Sequence, residues 1–131
     1  MDLLEIESIV KTQLSIRVPE LLNNAYPSIT FCTEKSDKQP IFPNVYIHEI
    51  GTNEVGNSIP NNIIHAARVT IQIDVTTNTS KDDCIRVKNA CVLAMKALQF
   101  SADTVGPVKE SNMHRCIIRA ARVIANGDEF N

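Results

Sequence analysis

The chain has 131 residues and a formal net charge of -2, so it carries no overall basic field, and nucleic acid is not expected as its primary partner. Hydrophobic residues make up 44% and charged residues 21% of the sequence, as in an ordinary globular domain of this length. Aromatic residues contribute only 5% and tryptophan is absent, so the core of a single domain over residues 1–131 must be mostly aliphatic.

The apolar residues do not form a membrane segment, because no run of about 18 of them occurs. The N-terminal MDLLEIESIVK carries acids where a signal peptide needs basic residues, so a cytosolic protein is expected. The cysteines show no CxxC pair and no histidine at metal-ligand spacing, which favours buried thiols over a zinc site. They are Cys32, Cys84, Cys91 and Cys116.

The start of the chain predicts a helix followed by two strands. Asp2 can cap a helix over residues 2–14, where apolar residues recur at helical spacing. Pro19 disfavours helical backbone at Val18, so a short separate helical turn is predicted from Pro19 onward. Alternation of side chains then predicts strands at 29–34 and 44–50, joined by a turn at 35–40.

A polar stretch over residues 51–62 is predicted to be a long loop, and such loops in compact domains are usually functional or disordered. The clearest strand follows at 66–77, because apolar and polar residues alternate strictly there. Its apolar face is Ala67, Val69, Ile71, Ile73 and Val75. Its other face is expected to be solvated or to contact another subunit, and consists of Arg68, Thr70, Gln72, Asp74 and Thr76.

The second half of the chain predicts one helix and one strand. Ser80 and Asp83 have the spacing of a capping box at the start of a helix over residues 81–99. The predicted buried stripe of this helix is Cys84, Val87, Cys91, Ala94, Met95 and Leu98. Residues 101–112 are interpreted as a polar connector, and 113–125 as the final strand.

The order of elements, α-β-β-β-α-β, predicts an α+β fold of two layers. We expect a mainly antiparallel four-stranded sheet with two helices packed on one face. The first three strands are expected to be antiparallel in a row. The helix before the last strand permits a right-handed parallel crossover.

The sequence shows no Walker loop, no GxGxxG and no GxSxG nucleophile elbow, and its glycines are interpreted as turn residues. His48, His65 and His114 are interpreted as polar residues in or beside strands rather than as general bases. Asp82 and Asp83 are interpreted as helix-start acids. No enzyme activity is therefore predicted, and no catalytic, cofactor-binding or metal-binding residue is assigned.

Basic residues cluster on the final strand, with Arg115 and Arg119 on one face and Arg122 on the opposite face. A nucleic-acid role is disfavoured because aromatic residues do not interleave with them. The arginines either form ion pairs with another subunit, for instance with Asp74 or Glu49, or they are solvated strand ends.

The runs FPNVYIHEIGTNEVGNS and ARVTIQIDVTTNTSKDD, followed by a helix and the strand MHRCIIRAARVIA, resemble the small tail-terminator (tail completion) proteins of long-tailed bacteriophages. The resemblance covers nearly the whole chain. The residues that carry it are Pro43, Val45, Tyr46, Glu49, Asn53, Glu54, Ile71, Gln72, Ile73, Asp74 and Val75. Cys84, Cys91 and the C-terminal NGDEFN depart from the family pattern.

This resemblance implies a ring, usually hexameric, at the head-proximal end of the tail tube, where it stops tube polymerisation and offers a surface for head joining. The implied partners are further copies of the chain, the tail tube protein and the head connector protein, with no nucleic acid and no membrane. The implied location is the virion tail, after assembly in the host cytoplasm. The residues expected to contact another subunit or the tube are Thr52, Asn53, Glu54, Asn57, Arg68, Gln72, Asp74, Arg115 and Arg119.

Other readings of the sequence remain open. A head-completion or connector subunit of the same virion would share the structural role but differ in partner. A small enzyme would need a site around His48, His114 and Cys116, and a ligand-binding module would need a substantial apolar pocket. The polar stretch 51–62 is expected to become ordered against a neighbour or the tube, or else to be a mobile hairpin tip.

Overall fold

The structure is a computed structural model that describes residues 5–35, 41–54 and 66–125. This part of the chain forms two helices and one five-stranded sheet, which confirms the α+β class. The elements are α1 (Ile6–Leu21), β1 (Thr30–Cys32), β2 (Asn44–Glu54), β3 (Ala66–Thr77), α2 (Lys81–Ala97), β4 (Ser101–Glu110) and β5 (Met113–Ala125). Neither helix in these ranges is long and apolar enough to cross a membrane.

The strands lie in the order β1-β2-β3-β5-β4, so β3 is at the centre of the described sheet. Strands β2, β3, β5 and β4 pair antiparallel with their neighbours, whereas β1 pairs parallel with β2. Because β4 and β5 form a hairpin, β5 returns beside β3 in the antiparallel direction. The parallel crossover that the sequence permitted therefore does not lead to the final strand. Helix α2 instead leads to β4, which runs in the same direction as β3 with β5 between them.

The core lies between the helices and one face of the sheet. All five residues of the predicted apolar face of β3 are buried. The neighbouring strands extend this buried face, since Ile73 lies opposite Ile47 of β2 and Ile118 of β5. Buried residues of both helices belong to the same cluster. Each fully buried aliphatic side chain contributes roughly 1.5–3 kcal/mol, so this layer is the main source of stability.

The capping box at the start of α2 is confirmed. Ser80 Oγ accepts a hydrogen bond from the Asp83 backbone N–H at 3.1 Å. Thr79 Oγ1 and Tyr26 Oη donate to the Asp83 carboxylate at 2.6 and 2.7 Å, and these bonds hold the pKa of Asp83 below its ordinary value. Since Tyr26 follows α1, the cap also links the ends of the two helices.

The prediction that the first helix stops before Pro19 is wrong. Helix α1 runs continuously to Leu21 with Pro19 inside it. Pro19 lies in the last turn, so its missing N–H and its ring disturb only the end of the helix, where buried Val18 holds the turn against the core. The predicted cap residue Asp2 lies outside the described residues, and Glu5 at the observed cap position makes no side-chain capping bond.

The predicted antiparallel pairing of the first two strands is also wrong. Strand β1 covers only three residues and runs parallel to β2. Hydrogen bonds fix this direction, since the Thr30 backbone N–H donates to the Pro43 carbonyl at 2.9 Å and Thr30 Oγ1 donates to the Ile41 carbonyl at 2.8 Å. Side-chain alternation carries no information about such backbone pairing.

Strand β2 extends to Glu54, so the first four residues of the predicted loop 51–62 are strand. The register shifts between Glu49 and Gly51, which marks a bulge at Ile50. The rest of the predicted loop lies outside the described residues. Gly51 is therefore a strand residue rather than a turn residue.

Residues 101–110, predicted as part of a polar connector, form the additional strand β4. The strand escaped the sequence pattern because it lies at the edge of the described sheet, where most of its residues are exposed on both sides. A second bulge interrupts it between Val105 and Val108, and Gly106 in this bulge has φ +99°.

We predict that Gly106→Ala lowers the free energy of unfolding by roughly 1–3 kcal/mol, because an alanine is strained at the positive φ of this position. Its Cβ would also lie 2.7 Å from the Arg115 carbonyl oxygen. Gly51→Ala is the matched control, since nothing lies within 4 Å of its added Cβ. Urea denaturation of both variants measures the difference, and equal stabilities would contradict the bulge geometry.

Candidate functional site

One face of the sheet is not covered by α1 or α2, and it is called the open face here. It is defined by residues whose cross-strand partners share one side of the sheet: Tyr46, His48, Gln72, Asp74, Val105, Val108, Arg115, Ile117 and Arg119. Tyr46 lies opposite Asp74, and Asp74 lies opposite Ile117, so the face runs without a break across three strands. The candidate site is built on this face.

A chain of hydrogen bonds, called the polar network, crosses β3 and β5 on the open face. Arg119 Nε donates to Gln72 Oε1 at 3.2 Å, and Gln72 Nε2 donates to Asp74 Oδ1 at 3.0 Å. Arg115 Nη2 donates to Asp74 Oδ2 at 2.8 Å. Four of the predicted contact residues are therefore hydrogen-bonded to one another within a single chain: Gln72, Asp74, Arg115 and Arg119.

Asp74 is the central member of the polar network, because its residue surface is only 6% exposed. A buried carboxylate is costly unless its oxygens are hydrogen-bonded, and here each oxygen accepts one bond. The expected ion pair of Arg115 with Asp74 therefore exists inside the chain rather than between subunits. Glu110 lies 3.8 Å from Arg115 and adds a second, more exposed carboxylate.

An aromatic pair lies beside the polar network on β2. The rings of Tyr46 and His48 are stacked, with centroids 4.4 Å apart and an angle of 11° between their planes. Lys35 Nζ lies 5.5 Å from the Tyr46 ring centroid. Burial, followed by the nearby charge of Asp74, raises the pKa of Tyr46. Tyr46 therefore contacts both an aromatic ring and a cation on this surface.

Apolar side chains form a ridge next to the polar network, and the sequence pattern missed it. Val105 is 59% and Val108 49% exposed, and Val105 lies opposite Ile117 of β5. The bulge at Gly106 lets both valines pair with open-face residues, since Val108 lies opposite Arg115. The signal available in the sequence was the hairpin turn at Ser111 and Asn112, because Ser and Asn favour turns.

The remaining predicted contact residues that the structure describes lie towards the other end of β2 and β3. Asn53 lies opposite Arg68, and both side chains are exposed. Thr52 is exposed and its Oγ1 donates to a carboxylate oxygen of Glu49. The backbone of Glu54 pairs with Ala67, whereas its side chain lies outside the described residues, as does all of Asn57.

Glu49 faces the helix-covered side of the sheet, because it lies opposite the buried Ile71. Its backbone N–H donates to Glu7 Oε2 of α1 at 2.7 Å. Burial, followed by the charge of Glu7, raises the pKa of Glu49. Glu49 is therefore a contact between α1 and β2, on the opposite side of the sheet from Arg115 and Arg119.

The residues of the proposed small-enzyme site do not converge. Cys116 is buried on the helix side, where its Sγ lies 3.2 Å from Cys84 Sγ. His48 lies on the open face, on the other side of the sheet. His114 lies two residues before Cys116 on β5, on the same side of the sheet as Cys116 and away from His48. Among the described residues, no group of three or more His, Cys, Asp or Glu side chains could hold a metal ion.

A surface groove of about 340 Å³ lies between the C-terminal end of α1 and the outer side of α2. Leu22, Tyr26 and Ala90 contribute to its lining, and Arg86 and Asn89 add polar groups. It is on the opposite side of the domain from the open face. A ligand-binding module could use a groove of this size.

We predict that Arg115→Leu lowers the free energy of unfolding by roughly 1–3 kcal/mol, because Asp74 keeps a buried, half-paired charge. Arg119→Leu is the matched control and should cost less than about 1 kcal/mol, since Arg119 is exposed. Adding Asp74→Asn to Arg115→Leu should recover part of the loss. Urea denaturation measures all three, and equal costs for both arginines would contradict the central place of Asp74.

A second prediction concerns pH. Because the pKa of Glu49 is raised in the fold, the folded state holds this proton more tightly than the unfolded chain. The resulting stabilisation is present below the ordinary pKa of 4.5 and is lost as pH rises through the raised value. Glu49→Gln should flatten the stability profile from pH 4.5 upward. Glu20→Gln, on the exposed side of α1, should leave it unchanged.

No protein-family model matches the sequence, and no curated protein matches it significantly. A functional assignment therefore depends on the residues and contacts described above.

Proposed function

We propose that the chain is a structural virion-assembly protein that caps the head-proximal end of a phage tail tube as a ring, stops tube polymerisation and provides the head-joining surface. The observation that carries the proposal is the open face. It combines a fixed polar network with exposed valines, and neither α1 nor α2 packs on it. This is a surface suited to binding another protein.

The residues that carry the resemblance to phage tail-terminator proteins support the same assignment. Gln72 and Asp74 come from the run ARVTIQIDVTTNTSKDD, and they occupy the centre of the polar network. Tyr46 comes from the run FPNVYIHEIGTNEVGNS, and it lies directly opposite Asp74. Tyr46, Gln72 and Asp74 therefore meet on the open face, whereas Glu49 faces α1 on the other side of the sheet. The Val and Ile residues that carry the resemblance lie in the core.

The chemistry of the open face suits contact between copies. A ring needs two different surfaces on each subunit, related by a rotation that closes. The open face offers one such surface, with arginines beside the carboxylates of Asp103 and Glu110. A surface with both positive and negative side chains favours one alignment of two neighbouring subunits, because other alignments bring like charges together. The valine ridge adds apolar area that would be buried on contact.

The tail tube protein and the head connector protein are the further proposed partners. The predicted contact residues near the end of β2, Thr52 and Asn53, are exposed, and they lead into the polar stretch 55–62. We assign tube contact to this end of the sheet. We assign contact with the head connector protein, or with a neighbouring copy, to the opposite side of the domain, where the groove lies beside α2.

The proposal is tested by deleting the gene in its parent phage or prophage and viewing lysates by electron microscopy. Abnormally long tails of varying length, detached from full heads, are expected if the protein terminates the tube. Tails of normal length that fail to join heads would assign the chain to the connector. Normal infectious particles would contradict a role in virion assembly.

A point variant tests the open face in the same assay. Val105→Asp places a charge in the valine ridge, so it should fail to restore tail length and infectivity in the deletion strain. Thr104→Asp is the matched control, because the adjacent residue is exposed on the other side of the same strand. Circular dichroism should show both variants folded. Equal complementation by the two variants would exclude the ridge as a contact surface.

A further inference from the structure

Two thiols meet in the core between α2 and β5. Cys84 Sγ and Cys116 Sγ lie 3.2 Å apart, and both residues have no exposed surface. The backbone supports this contact, because Cys84 Sγ also lies 3.7 Å from the Val75 carbonyl, and Val75 pairs with Cys116 in the sheet. The two sulfur atoms are thus brought together by elements that the core already fixes.

We propose that Cys84 and Cys116 are a latent disulfide pair, which a small-molecule disulfide such as oxidised glutathione converts into a bond that ties α2 to β5. This inference does not depend on the proposed virion role. The chain folds with both thiols free, and the bond is a later covalent modification of a finished core.

The reaction balances without a further reactant. One protein thiolate attacks a sulfur of oxidised glutathione and releases one glutathione as a thiolate, which leaves a mixed disulfide on the protein. The second protein thiolate then attacks the protein sulfur of that mixed disulfide and releases the second glutathione. The two cysteines are oxidised together, and the oxidant is reduced to two glutathione molecules, which take up the two protons.

Burial controls how fast this occurs. Removal from water, followed by the neighbouring Cys116, raises the pKa of Cys84 to about 12. The thiolate is the attacking species, so the folded protein should react slowly near neutral pH and faster when the core opens. A latent pair of this kind stays reduced in a reducing compartment and becomes oxidised on prolonged exposure to an oxidising one.

The other two cysteines serve as internal controls. Cys91 is buried in α2, and burial raises its pKa to about 12, but it makes no sulfur contact in the described residues. Cys32 is partly exposed in β1, where its Sγ contacts Asn44 on the other side of the sheet. A bond that forms because of native proximity should therefore involve neither of them.

The test uses the full chain with Cys32→Ser, which removes intermolecular pairing. The protein is incubated with oxidised glutathione at about pH 8.5, both folded and during refolding from urea, so that burial cannot prevent access. Mass spectrometry should show loss of two hydrogen atoms, and non-reducing digestion should give one peptide linking Cys84 to Cys116. Adding Cys91→Ser should change nothing, whereas adding Cys116→Ser should abolish the bond.

The stability of the oxidised protein distinguishes a native bond from a strained one. A bond that fits the core should raise Tm by roughly 5–10 °C relative to the reduced protein, because it restricts the unfolded chain. The proposal is overturned if both thiols remain free under both conditions, if Cys91 takes part in the bond, or if oxidation lowers Tm.

Discussion

Side-chain alternation along β3 is the constraint on which the other features depend. Successive residues of a strand point to opposite sides, so the aliphatic set of β3 cannot be buried without turning Gln72 and Asp74 to the other side. Helices α1 and α2 cover the aliphatic side of the sheet and bury it. The second side then holds a carboxylate at the centre of a five-stranded sheet, where β2 and β5 restrict its access to water.

The surroundings of Asp74 follow from that position. A carboxylate with so little exposure needs partners on both oxygens, and the register places Arg115 and Gln72 within reach. The hydrogen bonds to the two Asp74 oxygens hold the side chains of Arg115 and Gln72 in defined conformations on the open face. A fixed surface loses less conformational entropy when a partner binds, which is why the polar network and the valine ridge together suit a protein contact.

Much of the core could be predicted from the sequence, because periodicity reports burial directly. The bounds of β3 and β5, the capping box and the buried stripe of α2 are as expected. Strand β4 could not be recognised in this way, since an edge strand has no buried face to impose alternation. The parallel direction of β1 was equally hidden, because backbone hydrogen bonds set it.

The residues of the candidate site could be predicted from the sequence, but the hydrogen bonds between them could not. The polar face of β3 and the arginines of β5 were expected to contact partners, and the structure joins four of these residues to one another instead. Side-chain pairing across strands depends on register, which a single sequence does not specify. Val105 and Val108 went unrecognised for the same reason, since their place on the open face depends on the bulge at Gly106.

The central claim is that the open face is the surface through which this chain assembles. Hydroxyl-radical footprinting of the purified protein over a range of concentrations, with the oligomeric state followed by native mass spectrometry, tests it most directly. The account predicts that Val105, Val108 and Ile117 lose reactivity as multi-subunit species form, while exposed Ile16 on α1 changes less. Assembly that leaves the valine ridge fully reactive would contradict the account and place the interface elsewhere on the domain.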